Sequence, residues 1–111
     1  MGRPTSYKPE YCELLIEHMG RGLSFESFAG RPDVRVNRDT IYNWLEIHPD
    51  FSDAYKKGYC AALYYMEELG MQNMMAPPGS WSLSLWIFLM KTRFGWRDGG
   101  EAPKKEIEAR S

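Results

Sequence analysis

Residues 23–44 read LSFESFAGRPDVRVNRDTIYNW, and this stretch decides the fold. Ser24 is placed to cap a short helix in which Phe25, Phe28 and Ala29 share one face over two turns. Gly30-Arg31-Pro32-Asp33 breaks that helix, since proline lacks an amide donor and disfavours helical backbone at the residue before it. Asn37 or Arg38 then opens a further helix with Ile41, Trp44, Leu45 and His48 on its inner side, and Pro49 bounds its end. Thr40, Tyr42 and Asn43 fall on the outer side. With a supporting helix ahead of it, the stretch predicts a three-helix unit of helix-turn-helix type.

In such a unit the inner face locks the last helix, and the helix's leading turn is left free to enter a major groove. Arg35, Asn37, Arg38, Thr40 and Asn43 bring the matching chemistry: guanidinium for phosphates or guanine edges, amide for adenine, hydroxyl for either. Arg3, Lys8 and Arg31 are the expected phosphate contacts. A helical packing unit that touches no nucleic acid has the same outline, and Glu26, Asp33, Asp39 and Glu46 near the candidate face favour it by opposing a phosphate backbone. A single copy is therefore expected to bind DNA weakly. From Ala29 to Thr40 the count is eleven positions. The common helix-turn-helix has about nine there, and Asp33 stands near the place of its turn glycine.

Working outward, Cys12, Leu15, Ile16 and Met19 recur at helical spacing after Pro9, and Gly20 and Gly22 stop that helix. Met1–Tyr7 is polar and expected to be mobile. A long helix is predicted from Ser52 to about Gly70 or Met75, with Tyr55, Tyr59, Ala62, Met66 and Leu69 repeating as a heptad seam. Pro77-Pro78-Gly79 makes a corner, after which Ser80 caps a helix over Trp81–Arg93. Trp81, Leu85, Phe88 and Leu89 lie on one side of it, while Leu83, Trp86, Ile87 and Met90 cover much of the rest. Apolar side chains all round imply burial on two sides, so Trp81, Leu85, Trp86 and Phe88 join the heptad seam as expected assembly residues. The chain is expected to be all-α: a DNA-binding domain at 1–50, an oligomerisation domain at 51–98 and a flexible tail at 99–111.

The 111 residues are 43% hydrophobic and 14% aromatic, too rich in core-forming side chains for a disordered chain. Fourteen basic and fifteen acidic side chains leave a net charge of −1, so nucleic-acid affinity must come from a local stripe or from many copies. Only Cys12 and Cys60 occur, both in helical runs, and no secretory leader is evident, which predicts a cytosolic location. No apolar run approaches the ~20 residues of a membrane span. His18 and His48 lack metal-ligand spacing with the cysteines, and no nucleophile–base pair, phosphate loop or carboxylate cluster stands out. No enzyme activity, metal or cofactor is expected.

Several pieces in order resemble a known family: Gly2-Arg3-Pro4-Thr5 leading to Tyr7-Lys8-Pro9-Glu10-Tyr11, Gly22-Leu23-Ser24-Phe25-Glu26, and Arg38-Asp39-Thr40-Ile41-Tyr42-Asn43-Trp44 with His48-Pro49-Asp50-Phe51. Trp86-Ile87-Phe88-Leu89-Met90-Lys91 and Arg93-Phe94-Gly95-Trp96-Arg97-Asp98 complete the set. Together they resemble the small subunit of phage terminase over nearly the whole chain except the tail. The resemblance implies a non-enzymatic, ring-forming protein of the host cytoplasm that binds the packaging site on double-stranded viral DNA. It also implies a partner, the terminase large subunit, which supplies the ATPase and nuclease. A ring would bury the two over-apolar helices and multiply a weak DNA contact by avidity. A dimeric helix-turn-helix transcriptional regulator, or an adaptor that never touches DNA, remains open on the same residues.

Overall fold

A computed structural model describes residues 7–77 and 79–95. These residues form four α-helices and one 3-10 helix, with no strand among them: α1 (Tyr11–Gly20), the 3-10 helix (Glu26–Gly30), α2 (Arg38–Ile47), α3 (Pro49–Gln72) and α4 (Leu83–Phe94). The protein is all-α. The tail at 99–111, Arg3 and Trp96-Arg97-Asp98 lie outside the described residues. The chain divides into two compact units between Tyr65 and Met66, inside α3, whereas the sequence reading puts the boundary at 50/51.

In the first unit, α1 ends where Gly22 adopts φ 95° and the Leu23 amide reaches back to the His18 carbonyl at 3.4 Å. A side chain at Gly22 would also meet the ring of Tyr65 at 2.9 Å, so this corner admits no β-carbon. Gly58 in α3 plays a different part: a β-carbon there would lie 2.7 Å from the Met19 sulfur, so the missing side chain sets how closely α1 and α3 pack. Ser24 caps as expected, its Oγ accepting from the Ser27 amide at 3.2 Å. The capped segment is a 3-10 helix rather than an α-helix, because Arg31, ahead of Pro32, is already extended at ψ 143°. Too few residues separate the cap from that break for α-helix to propagate.

The core of this unit is aromatic. Phe28 and Phe51 are fully buried, and Phe51 meets Tyr7, Phe25, Phe28 and Trp44 at centroid distances of 5.8, 6.2, 6.0 and 5.6 Å. Trp44 stacks on Tyr11 at 5.4 Å, and Phe25 meets Tyr55 edge-on at 5.0 Å. Ring pairs of this geometry add about 0.5–1.5 kcal/mol each beyond the area they bury. Tyr7 departs from the mobile start expected for it. Its ring stacks on His48 at 3.8 Å, and its hydroxyl donates to Asp50 at 2.8 Å. Burial, with the Cys12 and Asp50 contacts, pushes that phenol's pKa well up.

In the second unit, the α4 cap sits two residues later than expected. The Ser80 hydroxyl donates to the Pro77 carbonyl, and Ser82 Oγ accepts from the Leu85 amide at 3.1 Å. Gly95 at φ 70° terminates the helix. Trp86 sends its indole N–H to the Met66 carbonyl at 2.8 Å and crosses over Gly70, where a β-carbon would strike the ring at 2.5 Å. Met66, Met90 and Phe94 are buried. Among the described residues, no helix is long and apolar enough to cross a membrane.

Candidate nucleic-acid interface

The leading end of α2 is built by two opposed sets of residues. Ile41 and Trp44 are buried at 0% and 3% exposure and fix the rotation of the helix, while Leu45 and His48 are half-buried beside them. Arg35, Asn37, Arg38 and Asn43 are consequently exposed, and Thr40 is half-buried at the edge. Asn37 occupies the N-cap, yet its side chain makes no cap hydrogen bond, leaving the amide available at the surface.

Arg35 carries the unusual backbone. It adopts φ 51°, the only positive φ at a non-glycine position among the described residues. A bulky residue here costs about 1–2 kcal/mol relative to a right-handed conformation. The left-handed turn residue, usually glycine, is therefore Arg35 and not Asp33. Its guanidinium makes no hydrogen bond or ion pair among the described residues.

The other basic residues differ. Arg38 approaches Glu26 at 3.5 Å, an exposed pair, and the same carboxylate accepts from the Tyr42 hydroxyl at 2.7 Å. Tyr42 in turn leans on Phe25 at 5.3 Å. Arg31 is drawn inward, its Nε and Nη2 donating to the two carboxylate oxygens of Asp33 at 2.9 and 3.0 Å. Arg31 holds the Asp33 carboxyl below the usual carboxylate range. Lys8 lines a groove of about 710 Å³ whose other polar walls are Glu10, Glu13, Glu17 and Asp33, an acidic setting apart from the α2 set. The structure thus groups Arg35, Asn37, Arg38, Thr40 and Asn43, and gives Arg31 and Lys8 other neighbours. Asp39 sits in the first turn of α2 beside Arg38 and Glu46 in its last, so the leading end carries Arg35 and Arg38 together with Asp39 and Glu26.

Behind this end sits His18, 2% exposed. Its Nε2 donates to the Ser24 carbonyl at 2.9 Å and lies 3.0 Å from Ser27 Oγ, which leaves Nδ1 to accept from Arg31 at 3.3 Å. Only the neutral ring satisfies all these partners. Burial, then the Arg31 charge, pulls its pKa below the ordinary 6.5. Since the unfolded chain takes up a proton that the folded one refuses, stability should be full above that value and fall as pH drops below it. The limiting slope is about 1.4 kcal/mol per pH unit. Urea midpoints across that range should show the fall in the wild type and lose it in His18→Gln. A wild-type profile parallel to the variant's would contradict the assignment. The sequence offers one cue to this cluster, the opposite charges of Arg31 and Asp33 on either side of a proline with fixed φ.

Among the described residues, no three His, Cys, Asp or Glu side chains gather as metal ligands would. Leu85 and Phe88, expected at an assembly interface, are 55% and 59% exposed, and Met71, Met74, Met75 and Leu83 are exposed as well. Tyr55, Tyr59, Leu69, Trp81 and Trp86 are half-buried, and Ala62 and Met66 are buried within the chain. No family model, curated protein or solved structure matches this chain.

Proposed function

We propose that this chain is a recognition protein for viral DNA packaging, of the terminase small-subunit type, using α2 as the recognition helix of a helix-turn-helix. The observation that carries the DNA half of the reading is the split on α2. Ile41 and Trp44 anchor one side, while Arg35, without a hydrogen bond or ion pair among the described residues, and the uncapping Asn37 stand exposed at the leading end with Arg38 and Asn43. Arg35 and Arg38 are the phosphate or guanine contacts, Asn37 and Asn43 the base readers, with Thr40 at the edge. The further phosphate contacts of this reading, Arg3 and Lys8, rest on the sequence alone.

The balance of charge argues for many copies acting together. With Glu26, Asp39 and Glu46 near the face, one copy contributes little, and a ring supplies the effective concentration that makes weak contacts hold. The exposed Leu83, Leu85, Ile87 and Phe88 of α4 support self-association, because a partner copy would take these apolar side chains out of water. Bound to the packaging site, such an assembly presents the DNA to the large subunit, which performs the chemistry.

Native mass spectrometry combined with duplex retention across a salt series tests this. An assembly of many 12.9 kDa chains that retains DNA at low salt and releases it steeply as salt rises is the expected result. A dimer that binds a palindromic duplex would instead favour a transcriptional regulator. A monomer indifferent to DNA at every salt concentration would refute the reading.

A further inference from the structure

The loop from Ala29 to Val36 closes on itself, since the Val36 amide donates to the Ala29 carbonyl at 3.0 Å. Within it the Arg31 carbonyl accepts from both the Val34 and the Arg35 amides, at 3.0 and 2.9 Å, and Val34 is buried as the loop's apolar plug. The Arg31 side chain is clasped at both ends of its guanidinium, by the Asp33 carboxylate on one side and by His18 Nδ1 on the other. His18 is itself pinned to Ser24 and Ser27, the start of the 3-10 helix. One residue therefore ties the end of α1, the 3-10 helix and the turn ahead of α2 together, and the same residue's backbone carbonyl accepts from the amide of Arg35, whose φ is 51°.

We propose that Arg31 is a positioning residue: the Asp33–Arg31–His18 clasp holds Arg35 in its left-handed conformation and so presets the guanidinium that meets DNA. The inference rests on the DNA-binding reading above and replaces a phosphate contact at Arg31 by an indirect role. A left-handed arginine is strained on its own. The clasp offsets the strain with a two-pronged charged pair, a geometry that lysine cannot reproduce. The carboxylate of Asp33 then aids DNA binding although its charge repels phosphate.

That last point gives opposite signs for two explanations. By charge alone, Asp33→Asn should tighten DNA binding, because it removes an acid beside the interface. If the clasp positions Arg35, the same change should weaken binding about tenfold, the size of one charge-assisted hydrogen bond. Arg31→Lys should do likewise while leaving the slope of log affinity against log salt unchanged, since no phosphate contact is lost. In both variants the Arg35 amide-to-Hα coupling and Cα shift, read by NMR, should leave left-handed values while the rest of the spectrum stays folded. Tighter binding by Asp33→Asn, or a slope shallower by about one in Arg31→Lys, would overturn the proposal. If the wild type binds no DNA, the functional reading fails separately. The Arg35 coupling in Asp33→Asn then still decides the clasp: retained left-handed values refute it, and their loss supports it.

Discussion

Replacing Phe51 by alanine should cost the first unit about 3–5 kcal/mol, the usual range for deleting a buried phenyl ring. The ring has no exposed surface and is shared by four aromatic neighbours, so removing it leaves a cavity walled by rigid groups that cannot collapse inward. Two of those neighbours have further duties. Trp44 fixes the rotation of α2, and Tyr7 fastens the chain ahead of α1 to Asp50. The loss compares with the whole stability of a small domain, about 5–15 kcal/mol. Urea denaturation followed by far-UV circular dichroism measures it directly, with Ile47→Ala, at a 65% exposed site, as the surface control. A midpoint for Phe51→Ala no lower than the control's would mean that this ring is not the keystone of the core.

The double variant Arg35→Ala, Arg38→Ala should leave assembly and stability intact and remove most duplex retention. Each phosphate neutralised contributes about 0.9 to the salt slope on double-stranded DNA. Loss of both guanidiniums should therefore flatten the slope by about 1.8 for every engaged copy. In a ring that binds through several copies the effect multiplies, so retention should fall by more than the product of two single contacts would give. The two arginines are not equivalent. Arg38 already leans on Glu26 at 3.5 Å, a screened surface pair worth little, and exchanges that carboxylate for a phosphate on binding. Arg35 gives up no partner among the described residues, and its removal should be the more costly of the two. An unchanged salt slope in the double variant, with the assembly's mass preserved, would take the leading end of α2 out of the interface.

Much of the first unit is legible in the sequence. Ile41 and Trp44 at helical spacing, with Asn37 ahead and Pro49 behind, define α2 to within a residue, because an amphipathic stripe and its stop signals are local properties. The short helix after Ser24 differs in kind from the α-helical turn its spacing suggests. Its apolar face is where the spacing puts it, but Pro32 makes Arg31 extended and cuts the segment below the length at which α-helix outcompetes 3-10. For α4, Ser80 and Ser82 are equivalent as caps by composition. The choice falls to Ser82 because the Ser80 hydroxyl closes a turn onto Pro77. The candidate contact set shows the same division. Periodicity places Tyr42 and Asn43 outward, whereas nothing local separates Arg31 from Arg35.

By itself the sequence determined an all-helical chain, the breaks at Gly22, Pro32, Pro49 and the Pro77 corner, and which side of α2 faces inward. These follow from backbone restrictions and from the 3.6-residue period, which act within a few residues of where they are written. Tertiary structure alone decided that Arg31 turns in toward His18 and Asp33, that Arg35 takes the left-handed turn position, and that Tyr7 is anchored rather than loose. A long polar side chain goes to whichever partner the packing of distant segments brings within hydrogen-bond reach, and that distance is fixed only when α1, the turn and α2 have closed around the aromatic core.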